Sequence, residues 1–174
     1  MMTDERSWQK CAEFHGHMCG GLAIGYQAAR YAAELLGRDF SSDEELVCVA
    51  ENDACGVDAI QVMLGCSVGK GNLLFHMRGK EAYSFYDRES NKSFRLILND
   101  VPDGVDDSMQ YFLTSDYRDL FTVKEARPIP KPAELFRSYR CARCGEMTGE
   151  NWIRIIDGEY CCLDCIEKYD RFNV

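Results

Sequence analysis

Two Cys-x-x-Cys pairs near the C-terminal end constrain the fold of this chain more than any other feature. Cys141 and Cys144 form the first pair, Cys162 and Cys165 form the second, and 17 residues separate them. Thiolates at this spacing are typical of a zinc ribbon or treble-clef knuckle, in which four cysteines hold one ion. Cys161 stands beside the second pair, but the two-residue spacing favours Cys162 as the ligand. The sequence therefore predicts a small domain that depends on a structural zinc ion.

A proline-rich segment separates this predicted domain from the rest of the chain. Proline occupies every second position of residues 128–132, which predicts a stiff, extended connector. We therefore predict a core domain over residues 1–127 and a four-cysteine zinc-binding domain over residues 133–174. Within the latter, Asp157-Gly158 lies between two apolar runs and predicts a hairpin turn.

A short stretch near the N-terminus combines two histidines and a cysteine. His15, His17 and Cys19 are separated by single residues, and imidazole and thiolate are preferred ligands of zinc. On an extended segment, side chains at every second position point the same way, so these three could share one metal ion. The alternative is that only one or two of them are ligands and that a histidine here serves packing or capping. The cluster as a whole favours a metal or catalytic site.

A second cysteine in the predicted core repeats the setting of Cys19. Cys55 also follows a turn and precedes a predicted helix, where a thiolate has a lowered pKa. We expect His17, Cys19 and Cys55 to meet at one site, with His15 as fourth ligand or supporting partner. The alternative is that both thiols are small buried residues. The candidates for supporting or substrate contacts are Asp58, Gln61 and Lys70.

The periodicity of apolar residues predicts a core of alternating helical and strand segments. The helix over residues 21–36 is rich in alanine and glycine, so another element can pack closely against it. Helices are predicted over residues 8–14, 21–36, 57–64 and 105–121. Strands are predicted over residues 46–50, 72–78, 82–87, 93–99 and 121–126.

Composition excludes some function classes. A net charge of -9 argues against a nucleic-acid partner, which needs clustered lysine and arginine. No apolar run approaches the ~20 residues of a membrane span, and the polar start lacks a signal-peptide core. We therefore expect a cytoplasmic protein without a membrane partner. In a reducing cytosol, ten cysteines indicate metal ligands or reactive thiols and not disulfides.

With these motifs in view, the chain resembles the FmdE family, which is named for a component of formylmethanofuran dehydrogenase. The resemblance rests on residues 14–19, 55–61, 65–66 and 69–72, together with the paired CxxC of the tail. Gly20 stands where the family commonly has proline. The resemblance implies an α+β fold, with helices packed on a mixed, largely antiparallel sheet, a zinc-binding tail and a homodimer. It also implies a link to the molybdenum or tungsten enzyme that reduces CO2 onto methanofuran in methanogens.

Three hypotheses for function follow. The first is a metal-binding accessory subunit, or free-standing homologue, of that oxidoreductase complex, with a divalent metal, preferably zinc, in the core. It would not be the catalytic subunit. The second is a non-catalytic adaptor that holds zinc only in its tail. The third is an independent thiol enzyme, with Cys55 or Cys19 as nucleophile and His15 or His17 as base.

Overall fold

The chain divides into two units, Met1–Pro132 and Ala133–Val174. The described residues of the first unit form five helices and five strands. The computed structural model describes residues 4–38 and 40–167. The helices of this unit are α1 (Asp4–His15), α2 (Gly20–Leu36), α3 (Gly56–Leu64), α4 (Ser108–Thr114) and α5 (Tyr117–Leu120). The strands are β1 (Leu46–Ala50), β2 (Leu73–Phe75), β3 (Ala82–Asp87), β4 (Ser93–Leu98) and β5 (Phe121–Lys124).

The strands form one mixed sheet with the order β2-β1-β3-β4-β5. Strands β1 and β2 are parallel because α3 lies between them in the chain and carries it back across the sheet. The other three pairings are antiparallel. Every residue of the central strand β3 is buried. The predicted α+β class with a mixed, largely antiparallel sheet is therefore confirmed.

Helix α2 is the packing centre of this unit. Its alanines at positions 23, 28, 29 and 32 are buried in one apolar cluster with Leu46, Tyr83, Phe85 and Leu96 of the sheet. Small side chains let the helix axis approach the sheet closely. The helix ends at Gly37, whose φ of 71° is in the left-handed region and whose amide donates to the carbonyl of Ala33.

Helices α2 and α3 approach so closely that glycine is required at their crossing. A Cβ atom added at Gly25 would lie 1.9 Å from the carbonyl oxygen of Gly56 and 2.3 Å from its Cα. A Cβ atom added at Gly56 would lie 2.6 Å from the Tyr83 hydroxyl and 3.1 Å from the Gly25 Cα. The two backbones are thus in direct contact, which brings the start of α2 beside the start of α3.

The second unit contains two β-hairpins. Strands β6 (Ser138–Arg140) and β7 (Met147–Gly149) form the first hairpin, and β8 (Ile153–Ile156) and β9 (Glu159–Cys162) form the second. Asp157 and Gly158 connect β8 to β9 with φ values of 52° and 86°, as a two-residue type I′ turn requires. With its four-cysteine cluster, this unit is zinc-ribbon-like, as the sequence predicts.

Among the described residues, no helix combines the length and the apolar character that a bilayer crossing demands.

Candidate metal sites

The four cysteines of the CxxC pairs come together in the second unit. Cys141, Cys144, Cys162 and Cys165 place their sulfur atoms within 4.8 Å of one another. The sulfur atoms of Cys144 and Cys162 are 3.8 Å apart. Tetrahedral zinc with Zn–S bonds of about 2.3 Å requires a separation of about 3.8 Å. This group of thiols can therefore hold one zinc-sized ion.

The backbone around the first pair forms the tight turn that such sites use. The Gly145 amide donates to the Cys141 carbonyl at 2.9 Å, and Gly145 has a φ of 78°. The backbone amides of Cys144 and Cys162 lower the pKa of the Cys141 thiol to about 6. In contrast, the hydrogen bond with the Cys162 thiol raises the pKa of Cys165 to about 12. The thiols oppose each other's ionisation, and a bound cation removes this opposition.

A second group of metal-binding side chains lies in the first unit. His15, Cys19 and Cys55 place one ligand atom each within 4.8 Å of one another. The Nε2 atom of His15 is 3.9 Å from the Cys19 sulfur. Bonds of about 2.0–2.3 Å to a tetrahedral zinc ion require about 3.6 Å between such atoms. Small adjustments would therefore bring all three side chains into bonding distance of one ion.

Each member of this group occupies the end of a different helix. His15 is the last residue of α1, which ends because Gly16 adopts a φ of 90° and donates its amide to the Ala12 carbonyl. Cys19 caps the start of α2, where its sulfur accepts a hydrogen bond from the Leu22 amide at 3.3 Å. Cys55 precedes α3. Burial, followed by the neighbouring Cys19 thiol, raises the pKa of Cys55.

A carboxylate fixes the orientation of the histidine ring. The Asp58 Oδ2 atom is 2.7 Å from the His15 Nδ1 atom. An ionised carboxylate can only accept a hydrogen bond, so a neutral ring in this position carries its proton on Nδ1 and presents the lone pair of Nε2 to the Cys19 thiol. Gln61 in turn donates its amide to the other oxygen of Asp58 at 3.0 Å. Such carboxylate–histidine pairs are the usual support of metal-binding histidines.

The loop that carries Cys55 is supported by residues that sequence reasoning missed. Arg95 of β4 donates to both carboxylate oxygens of Glu51, at 2.6 and 2.9 Å. The buried side chain of Asn52 accepts a hydrogen bond from the Ala54 amide and donates one to the Lys80 carbonyl. A partly buried, bidentate ion pair is a rigid anchor. An asparagine that precedes a turn is a weak sequence signal of this role. Its partner Lys80 could not be identified from sequence, because it lies far along the chain.

Two of the candidate residues, His17 and Lys70, are not in the group formed by His15, Cys19 and Cys55. His17 is exposed and outside the group of mutually close ligand atoms, although its ring centroid is 4.4 Å from that of His15. Because α1 extends to His15, residues 15–19 are not an extended segment with alternating side chains. Lys70 donates its Nζ atom to the Ser41 carbonyl at 2.9 Å and lies over the Phe40 ring. It supports the loop after α3 and is not among the residues around Cys55.

The remaining cysteines are packing residues. Cys11, Cys48 and Cys66 are fully buried. Burial raises the pKa of Cys11 to about 11 and that of Cys66 to about 12, so these thiols stay protonated. Cys161 is also buried, and it is not part of the four-thiol group. Six of the ten cysteines are therefore metal-binding candidates, and the other four serve packing.

A solved structure supports the fold. The crystal structure of a tungsten formylmethanofuran dehydrogenase FmdE-like protein from Syntrophus aciditrophicus matches with a TM-score of 0.71 and 21% identity. The match covers 93% of this chain and 91% of the other. At this identity, the likeness concerns the arrangement of the elements.

A curated relative is similar in sequence. The probable S-adenosyl-L-methionine-binding protein of Archaeoglobus fulgidus is 24% identical over 92% of this chain. The alignment covers 52% of that protein, so the chain spans about half the length of this relative.

A family profile covers most of the first unit. The profile described as "FmdE, Molybdenum formylmethanofuran dehydrogenase operon" matches residues 14–140. The matched range includes His15, Cys19, Cys55 and Asp58 and accounts for well over half of the chain. The chain therefore belongs to the FmdE family.

Proposed function

We propose that this chain is a metal-binding accessory protein whose core site holds one divalent ion on His15, Cys19 and Cys55. The observation that carries the proposal is the hydrogen bond between Asp58 and His15, which turns the free nitrogen of the ring toward the two thiols. A histidine that served packing alone would not need a carboxylate on one nitrogen and two thiols near the other.

Zinc is the ion that suits this donor set best. Two thiolates and one imidazole match the preference of zinc for sulfur and nitrogen ligands. Two thiolates also balance the charge of a divalent ion, which removes the cost of placing Cys19 and Cys55 together. Three protein ligands leave a fourth position for water or substrate, as in catalytic zinc sites. When bound, the ion would supply Lewis-acid chemistry at that position.

The family suggests where such a protein acts. The profile description names a molybdenum formylmethanofuran dehydrogenase operon, and the structural neighbour carries the name of the tungsten enzyme. We propose that the chain is an accessory subunit of such a complex or a free-standing homologue, acting as a homodimer. The second zinc ion, on Cys141, Cys144, Cys162 and Cys165, stabilises the tail. We propose that residues 128–132 form the connector between the core and the tail.

An independent thiol enzyme is less well supported. The raised pKa of Cys55 opposes formation of a free thiolate nucleophile near neutral pH. The single histidine in contact with the thiols is held by Asp58, which suits a metal ligand as well as a base. Metal content per chain separates the remaining hypotheses, because an adaptor with zinc only in its tail would bind one ion.

Metal analysis of the purified full-length chain tests the proposal directly. We expect two equivalents of zinc per chain by inductively coupled plasma mass spectrometry, and one equivalent after Cys55→Ser. The reason is that a hydroxyl is a much poorer zinc ligand than a thiolate. One equivalent in the wild type, unchanged by Cys55→Ser, would show that the adaptor hypothesis is correct.

Asp58→Ala should weaken binding of the core ion by about 10- to 100-fold, as is typical for loss of a carboxylate behind a histidine ligand. Competition with a chromophoric chelator measures this affinity. Asp103→Ala is the matched control, because Asp103 is an exposed carboxylate on the loop before α4 and lines neither the site nor the cavity beside it. Equal affinities of Asp58→Ala and the wild type would show that the Asp58–His15 hydrogen bond has no role in metal binding.

A further inference from the structure

A cavity lies beside the core site. Its volume is about 320 Å³, at the lower end of the range for small-molecule sites. His15, Cys55, Asp58 and Gln61 form part of its wall. The cavity is thus continuous with two of the three proposed metal ligands and with both residues that support the histidine. A molecule in this cavity would lie against His15 and Cys55, two of the three proposed ligands.

The rest of the wall is largely apolar. Val57, Val68, Leu73 and Phe75 line the cavity together with Ala54. Val68 is 62% exposed and Phe75 is 44% exposed, although both are large apolar side chains. A bound molecule with an apolar body would remove this surface from water, at a gain of about 25 cal/mol per Å². The cavity therefore combines a polar end at the metal ligands with an apolar wall.

The charged residues of the cavity are acidic. Asp53 and Asp58 line it, and no lysine or arginine does so within residues 4–38 and 40–167. Lys70, on the loop that carries Val68, is held by the Ser41 carbonyl and the Phe40 ring. A divalent ion with two thiolates and a neutral imidazole has no net charge. The field in the cavity is therefore negative, which disfavours anionic ligands.

We propose that this cavity binds a small organic cation, with an apolar body against Val68 and Phe75 and its charged head beside the carboxylates of Asp53 and Asp58. The proposal rests on the proposed function, because it requires the core ion to balance the charge of Cys19 and Cys55 and so leaves the two carboxylates to set the charge of the cavity. Anionic ligands such as phosphate esters are disfavoured by the same two carboxylates.

Three probes of one shape test the charge preference. Benzylamine, benzyl alcohol and benzoate share a ring and differ in charge at neutral pH. They are titrated into the full chain after cobalt(II) has replaced zinc, and the visible absorption of the cobalt ion and the heat of binding are recorded. We expect benzylamine to bind about tenfold more tightly than benzyl alcohol, and benzoate to bind most weakly, because only the ammonium group is attracted by Asp53 and Asp58. Benzoate binding as tightly as benzylamine would overturn the proposal.

Variants of the wall test the location. Phe75→Ala should weaken benzylamine binding about 3- to 10-fold, because apolar contact area is lost. Val123→Ala is the matched control, since Val123 is similarly exposed on β5, at the opposite edge of the sheet from β2. Asp53→Lys should reverse the preference toward benzoate. If Phe75→Ala binds benzylamine as the wild type does, the probe is not in this cavity and the proposal is wrong.

The same samples distinguish failure of this proposal from failure of the proposed function. Absence of a sulfur–cobalt absorption band that depends on Cys55 would show that the core binds no metal, and both proposals would fall. A band that depends on Cys55, with no response to any probe, would overturn the ligand proposal alone.

Discussion

Replacing Gly25 with alanine is expected to destabilise the first unit by about 3 kcal/mol or more. The added methyl group would meet backbone atoms of Gly56 at 1.9 to 2.4 Å, and backbone cannot move aside as a flexible side chain can. Overpacking of cores usually costs about 1–3 kcal/mol, and this contact is among the least adaptable kinds. Alanine is the better helix former by about 1 kcal/mol, so helix propensity alone would predict a gain in stability and not a loss.

Thermal unfolding and metal analysis measure the two consequences. A loss of about 3 kcal/mol corresponds to a decrease in Tm on the order of 10 °C for a unit of this size. The core ion should be lost as well, because the glycine crossing places Cys19 and Cys55 side by side. Gly69→Ala is the control, since Gly69 has open space around its Cα and no positive φ. A Gly25→Ala variant with unchanged Tm and two bound ions would show that α2 and α3 do not touch as described.

Cys144→Ser is expected to remove one zinc ion per chain and to unfold the described part of the second unit, residues 133–167. Binding of structural zinc contributes about 10–16 kcal/mol in zinc-finger peptides, and a small unit of two hairpins has little apolar core to replace it. Trypsin should then cleave after Arg154 under conditions in which the wild-type tail resists. The first unit should keep its fold and its own ion, because its buried residues precede the connector.

The thiol of Cys161 requires a control for this experiment, because it is the one next to a proposed ligand, Cys162. Cys161 and Cys162 are successive residues of β9, so their side chains point to opposite faces of the hairpin. Substitution of one thiol by the other would require a shift in the register of β9. Cys161→Ser alone should therefore retain the zinc ion. A variant that lacks both Cys144 and Cys161 and still binds two ions would contradict the four-cysteine assignment.

The tail and the main helices could be predicted from sequence because their signals are local. The spacing of four cysteines is sufficient to indicate a zinc site, and the glycines that end α2 and α3 stand at the ends of helical patterns. The prediction for β2 was too long: the strand covers Leu73–Phe75 and not residues 72–78. All three residues of β2 pair with β1. The amides of His76 and Arg78 still donate to the Ala50 and Glu51 carbonyls, but the ladder ends because β1 itself ends at Ala50.

The histidine could not be chosen from sequence because the choice depends on where a helix ends. Alternation on an extended segment placed His15, His17 and Cys19 on one face, whereas α1 continues through His15 and the chain turns at Gly16. The role of Lys70 also depends on a distant partner, the Ser41 carbonyl. Local patterns contain no information about such partners. Asp58, one of the residues predicted for a supporting or substrate contact, lies 2.7 Å from the His15 Nδ1 atom, and Gln61 donates to Asp58.

The placement of the three proposed ligands on three helix ends has a consequence for local dynamics. The end of α1 can separate from α2 and α3 only if His15 leaves the ion, so metal binding and opening of the helices are thermodynamically linked. Bound metal should slow hydrogen–deuterium exchange of the amides in the last turn of α1 and the first turns of α2 and α3. Exchange at the centre of β3 should slow as well, because those amides open only when the whole unit unfolds and the ion binds only the folded unit. Occupancy of this metal site would therefore indicate whether the ends of α1, α2 and α3 are in contact.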